Sequence, residues 1–191
     1  MKKEDIKDIS IFCSHPDDEI IFFCSLLPFT KKIICCTSDI YNTRNPKWDW
    51  TKRKVALLEL GQVLNIEIIC LDNSSHFSDE PDKELYAQEI LNIIKDEKIL
   101  YTHNPWGEYG HVDHIFVNQI AKQSDIPLLM NDIRFGRTNI PLKEFLNENI
   151  FIDTFYTDKN LYEKCKNIYI KYNCWTWDKP MIPEIKLYIS K

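Results

Sequence analysis

Short continuous apolar runs alternate along the chain with longer stretches whose apolar residues recur at helical spacing. "DISIFCS", "KKIICCTS", "IEIICLD", "KILYTHN" and "PLLMNDI" read as five strands. Between them, "DDEIIFFCSLLPF", "WTKRKVALLELGQVLN" (ending near Asn65), "DKELYAQEILNIIKDE" and a segment around "HVDHIFVNQIAKQ" read as helices. In the third of these, Leu85, Ile90, Ile93 and Ile94 recur at helical spacing. Beyond Ile150 the pattern is less regular: "FIDTFYT" as a strand, "KNLYEKCKNIYIKY" as a helix, "YNCWTWDKP" as an aromatic loop, and "IKLYIS" as a closing strand.

Strands alternating with helices of this length imply β-α-β crossovers and a mostly parallel sheet covered on both faces. Strands that are apolar throughout, rather than alternating, suit that burial. The expected fold is therefore α/β, a Rossmann-like three-layer sandwich. With 191 residues, no repeat and no linker-like stretch, residues 1–191 are expected to form one domain.

Composition narrows the function. With 24 basic and 29 acidic side chains the surface is mildly acidic, which argues against nucleic acid as a partner. "MKKEDIKDIS" has no apolar secretory core, and "IIFFCSLLPF" is about half of the roughly 20 residues a spanning helix needs. Seven cysteines without C-x-x-C spacing point to buried thiols in a reducing compartment. A cytoplasmic protein without a transmembrane segment is expected. Only four glycines are present and none forms G-x-G-x-x-G after the first strand, so a dinucleotide cofactor is not expected.

Where that fingerprint would stand, the first strand is followed by His15, Pro16, Asp17, Asp18 and Glu19. A proline and acids also make a good helix start. A second cluster, "NPWGEYGHVDHIFV", follows the fourth strand. Its His111 and His114 are three residues apart, on one face if the segment is helical. In an open parallel sheet, segments leaving the carboxyl ends of the strands share one rim, and strands one and four flank the crevice in the common order. Two such clusters on one rim favour a metal site. Two imidazoles and a carboxylate around one ion, with a position left for water, suit catalytic zinc, and ferrous iron accepts the same donors.

The pair "SHPDDE" and "GHVDH" resembles the PIG-L/LmbE-like de-N-acetylases, metal-dependent hydrolases that deacetylate N-acetylglucosamine-containing conjugates. The resemblance covers the first two-thirds of the chain. It implies His15, Asp18 and His114 as metal ligands, Asp17 as general base, and His111 as the stabiliser of the tetrahedral intermediate, with Asp113 beside it. It also implies a small-molecule N-acetylated sugar conjugate as the partner and, more loosely, Arg53 as a substrate contact. The chain departs from the family at "CTSDIYNTRNPKWDW", where many members carry a Gly-rich loop.

Amide hydrolysis asks for these groups. A divalent ion acidifies bound water and polarises the acyl oxygen, and a free aspartate moves the proton to the departing amine. His111 is expected to act as imidazolium, kept protonated by Asp113. Glu19 either braces a ligand or simply sits in the first helical turn. Arg134 and Arg137 are candidates for a substrate phosphate, and Tyr109, Trp106, Trp175 and Trp177 for stacking on a sugar. His103 reads as a core residue rather than a ligand, and nothing ties His76 to the site. The alternatives are hydrolysis of another amide or a phosphoester, and a non-catalytic carbohydrate-binding relative.

Overall fold

In a computed structural model, the protein is described at residues 1–37, 49–73, 83–136 and 142–191. The departing "CTSDIYNTRNPKWDW" segment, for the most part, together with His76 and Arg137, lies outside the described residues.

Seven strands form one sheet in the order β3-β2-β1-β4-β5-β7-β6. They are β1 (Ile9–Cys13), β2 (Thr30–Thr37), β3 (Glu67–Asn73), β4 (Leu100–Thr102), β5 (Leu128–Asn131), β6 (Asn149–Tyr156) and β7 (Glu184–Ser190). The first five strands pair in parallel, and β7 runs antiparallel to both β5 and β6. The expected mostly parallel α/β sandwich is therefore present.

The helices are α1 (Asp18–Ile21), α2 (Trp50–Leu64), α3 (Lys83–Ile94), the single turn α4 (Gly107–Gly110), α5 (Val112–Ala121), α6 (Leu142–Glu148) and α7 (Lys159–Lys171). Alternation along the strands feeds two cores. Ile9, Ile11 and Cys13 of β1 pack with Ile33 and Cys35 of β2 against Leu57 and Leu60 of α2 and Tyr169 of α7. Phe12, Ile34 and Cys36 face the other way, against Ile90 and Ile94 of α3 and Val117 and Ile120 of α5. Helix α2 seats closely on β3: a Cβ on Gly61 would lie 2.3 Å from Ile68 Cγ1 and 2.8 Å from the Ile66 carbonyl oxygen. Asn65 closes α2 in the left-handed conformation, a C-terminal position that asparagine tolerates.

One expectation needs correction here. The long first helix is only one turn, followed by a 3₁₀ segment over Cys24–Phe29 that contains Pro28. The β-branched and aromatic run Ile20 to Phe23 is buried all round, so packing rather than helical period decides its path. In α3, Ile90 and Ile94 are buried, but Leu85 is 64 % exposed and Ile93 is 38 % exposed. At roughly 100° per residue, Leu85 lies about 140° around the helix from Ile90.

All seven cysteines are free thiols, six of them buried. Among the described residues no helix is long and apolar enough to cross a membrane.

Candidate metal centre

Strands β1 and β4 are adjacent, with Ser10 opposite Leu100 and Phe12 opposite Thr102. The chain leaving β1 enters α1 on one face of the sheet, while the chain leaving β4 reaches α5 on the other. This is the crevice of a doubly wound sheet, and His15, Asp17, Asp18, His111, Asp113 and His114 meet there.

The turn that presents the first cluster is strained. Asp17 caps α1 with φ 106°, a region that side chains other than glycine rarely enter, so Pro16 lies before the helix rather than in its first turn. Glu19 holds that turn from below. Its Oε2 accepts the Asp17 N–H at 2.9 Å and its Oε1 accepts the Tyr169 hydroxyl at 2.7 Å. Glu19 is thus a brace and not merely a first-turn acid. Burial, with the Asp17 charge adding to it, pushes its pKa up to about 8.

Hydrogen bonds assign the protons on the rings. His114 Nδ1 lies 2.8 Å from Glu108 Oε2, so it carries the proton and Nε2 carries a lone pair. His15 Nε2 lies 3.1 Å from Asp113 Oδ2, which leaves the His15 lone pair on Nδ1. These two lone-pair nitrogens are 3.3 Å apart. The Asp18 carboxylate completes the triangle, 3.5 Å from His15 Nδ1 and 3.4 Å from His114 Nε2.

Three electron-rich groups held this closely, with Asp18 Oδ2 toward His15 and Oδ1 toward His114, repel one another unless a proton or a metal cation lies between them. A tetrahedral ion with ligand bonds of 2.0–2.1 Å has ligand-to-ligand edges of about 3.4 Å. The residues present therefore fit a divalent metal. Asp18 is held well below the usual carboxylate range: burial opposes its charge, but His114 and His103 outweigh burial.

Two other imidazoles stand close. The nitrogens of His15, His111 and His114 lie within 4.8 Å of one another, as do the donor atoms of Asp18, His103 and His114. Their lone pairs are engaged elsewhere. His103 Nε2 accepts the Ser14 N–H at 3.1 Å, and Nδ1 faces Glu108 at 3.0 Å. Burial lowers the His103 pKa, but Glu108 and Asp18 lift it to about 9. Its Nε2 also lies 3.3 Å from Asp18 Oδ2, so Ser14 and Asp18 both compete for that nitrogen. His111 caps α5 by accepting the Asp113 N–H on Nδ1 at 3.2 Å, which leaves its proton on Nε2.

His111 is thereby corrected in two respects. It lies at the cap of α5 rather than on its face, although its ring stacks on His114 at 4.6 Å. It is also neutral rather than an imidazolium: burial, with His15 and His114 nearby, pushes its pKa down to about 3. Asp113, expected to keep His111 charged, instead directs its carboxylate to His15, with His111 Nδ1 farther off at 3.8 Å.

Arg53, the looser substrate-contact expectation, turns toward Asp17. Its side chain is buried, and its Nη2 donates to Asp17 Oδ1 and to the Pro16 carbonyl, while its guanidinium lies 4.4 Å over the Trp50 ring. It secures the aspartate rather than facing solvent. Thr176 donates to the other Asp17 oxygen at 2.6 Å. Burial, then the nearby Asp18 charge, raise the Asp17 pKa above its ordinary value, although Arg53 and Thr176 pull it down.

Tyr109 is 43 % exposed, with its ring 5.6 Å from His111 and 5.4 Å from His114, so it lines the rim of the site. Arg134 lies 5.4 Å over the Trp106 ring. Trp106 itself is buried, its Nε1 donating to the Ile133 carbonyl, and Trp177 packs on Phe22 at 5.6 Å.

Glu108 escaped the sequence reading. Its Oε1 accepts the Asn104 N–H and its Oε2 faces both His103 and His114, so burial notwithstanding, those imidazoles hold its pKa down to about 2. A signal was present: an acid between two glycines just ahead of "HVDH". Gly107 and Gly110 take positive φ, as does Glu108 at 53°, and the turn folds the carboxylate inward.

No curated protein matches this sequence. Solved structures resemble it in fold. The A40926 pseudoaglycone deacetylase Dbv21 aligns over 97 % of both chains with a TM-score of 0.67 and 11 % identity. The N,N'-diacetylchitobiose deacetylase of Pyrococcus horikoshii aligns over 92 % of this chain and 73 % of its own, with a TM-score of 0.60 and 13 % identity. GalB of Pseudomonas putida KT2440, a 4-carboxy-2-hydroxymuconate hydratase, aligns over 96 % and 95 % with a TM-score of 0.58 and 10 % identity, so the fold alone does not choose a reaction. The sequence itself is decisive at family level: residues 10–124, which carry both histidine clusters, match PIG-L, GlcNAc-PI de-N-acetylase, and the chain belongs to that family.

Proposed function

We propose that this protein is a metal-dependent hydrolase that removes the acetyl group from an N-acetylated amino sugar or its glycoconjugate. The observation that carries the reading is the convergence of His15 Nδ1, His114 Nε2 and the Asp18 carboxylate at 3.3–3.5 Å, with Asp17 adjacent but outside the triangle. Family membership and the deacetylases among the fold neighbours support the substrate class.

In this reading His15, Asp18 and His114 hold zinc or ferrous ion, as two imidazoles and a carboxylate suit either. When bound, the ion supplies an acidified water and a polarised acyl oxygen. Asp17 accepts the proton of the attacking water and returns it to the amine as the C–N bond breaks, giving acetate and a free amino sugar. Its elevated pKa suits a base that must later act as an acid. His111 donates its Nε2–H, as a neutral imidazole, to the oxygen that gains negative charge. Asp113 and Glu108 orient the two ligand rings from behind. Tyr109 forms part of the wall against which a sugar ring rests, and Arg134 stands farther along as a contact for an anionic substituent.

Strands from residue 9 to residue 190 share one sheet, which supports treating residues 1–191 as one domain. The free thiols support a reducing, cytoplasmic setting.

Acetate release from N,N'-diacetylchitobiose, N-acetylglucosamine and N-acetylglucosaminyl-phosphatidylinositol, with zinc or ferrous ion added, tests the reading. Release that a chelator abolishes and metal restores is expected. Phosphoester cleavage without acetate release from any of these amides would overturn it.

A further inference from the structure

We infer that Thr176 is a positioning residue for Asp17, so that the segment after α7 completes a proton-transfer apparatus whose other parts lie near the N-terminus. The inference rests on the assignment of Asp17 as the base. Three side chains converge on this one residue. Glu19 of α1 accepts its N–H, Arg53 of α2 donates to Oδ1, and Thr176 donates to Oδ2 at 2.6 Å. Tyr169 of α7 anchors Glu19 in turn. Tyr169 and Thr176 both lie beyond residue 124, outside the segment that matches the family.

The need for such a clamp follows from the backbone. With φ 106°, Asp17 sits in a turn that its neighbours must hold in place. An ionised carboxylate has roughly four lone-pair sites. Arg53 and Thr176 occupy one on each oxygen, which fixes the plane of the group and leaves lone pairs free for the water proton.

The hydroxyl is itself held. Trp175 packs edge-on against Tyr162 and Tyr169, Trp177 packs on Phe22 and Phe135, and the Cys174 N–H bonds the Tyr169 carbonyl. Thr176 thus projects from between two anchored tryptophans. This gives the aromatic loop a role that its composition alone did not suggest.

Thr176→Val removes the hydroxyl and keeps the shape, and Thr176→Ser keeps the hydroxyl. With N,N'-diacetylchitobiose as probe, Thr176→Val is expected to lower kcat roughly 10- to 100-fold with KM within about twofold and metal content unchanged. Thr176→Ser is expected to stay within about threefold of the parent. Combined with Asp17→Asn, Thr176→Val should cause no further loss. Crystals of the Thr176→Val protein should show the Asp17 carboxylate turned from its parent orientation, a readout independent of turnover.

If Asp17→Asn is inactive while Thr176→Val keeps parental kcat, or if the carboxylate has not moved, the Thr176 inference fails. A serine variant as impaired as the valine one would also overturn it. Full turnover in Asp17→Asn would instead remove the proposed base, while the position of the carboxylate still tests the contact with Thr176.

Discussion

Glu108 Oε2 stands 2.8 Å from Nδ1 of His114, and this contact leaves the lone pair of the ring on the nitrogen that faces Asp18. An imidazole free to flip or change tautomer would offer N–H to a cation half the time, so the buried acid prepares the ligand before any ion arrives. Glu108→Gln keeps the shape but removes the charge that favours Nδ1–H. Zinc affinity, measured by competition with a chelating dye, is expected to fall roughly 10- to 100-fold. Unchanged affinity would show that the ring is set by its packing alone.

The five histidines of the chain include four around this corner, and their hydrogen bonds sort them into two kinds. His15→Ala and His114→Ala each remove a lone pair from the triangle, and elemental analysis should find the metal lost. His111→Ala removes a ring whose Nδ1 is already engaged by the Asp113 N–H. It should keep the metal and lose on the order of 100-fold in turnover. Metal loss in His111→Ala, with retention in His15→Ala, would transfer the ligand role to His111.

Arg53 and Asp17 form a buried ion pair, so each is costly to remove alone. Arg53→Met leaves a carboxylate with desolvation and less compensation, and is expected to destabilise the fold by about 3 kcal/mol in denaturant titration. The double variant Arg53→Met/Asp17→Asn should recover much of that loss, because no uncompensated charge remains. Additive losses in the two single variants would mean that the pair contributes little and that Arg53 acts through its packing on Trp50.

What could be read in advance divides along physical lines. The strands were legible because continuous apolar runs have few other folds available, and the adjacency of β1 and β4 followed from the usual order of such sheets. The two histidine clusters were legible because their chemistry is concentrated in a few consecutive residues. Glu108 and Thr176 were not, and Arg53 was named only for a different contact, because each acts through a turn or a long-range approach: Thr176 reaches Asp17 across 159 positions. The protonation of His111 was misread for the same reason. Asp113 is its neighbour in sequence, but the carboxylate serves His15, 98 positions away. Spacing reveals which groups lie near one another along the chain, whereas hydrogen bonding decides which nitrogen carries the proton.

A last prediction concerns the opposite end of the strands, where acid should weaken the fold independently of the metal. Glu97 is buried beside the start of β1, accepting from the Ser10 hydroxyl and from Lys32 Nζ at 2.8 Å, with Lys31 Nζ at 3.2 Å. Burial raises its pKa, but the hydrogen bonds from Lys32, Ser10 and Lys31 together outweigh burial and hold it below the ordinary glutamate value of 4.5. Between the folded and unfolded pKa values the unfolded chain binds more protons, so stability rises with pH through that window. The contribution of Glu97 is therefore complete above about pH 4.5 and lost as pH falls toward the folded value. Urea titrations of the metal-free protein from pH 7 to pH 3.5 should show stability falling below about pH 4.5. Glu97→Gln should be less stable at pH 7 and show a shallower decline on acidification. An equal acid slope in the variant would assign the decline to other carboxylates and leave Glu97 without a part in it.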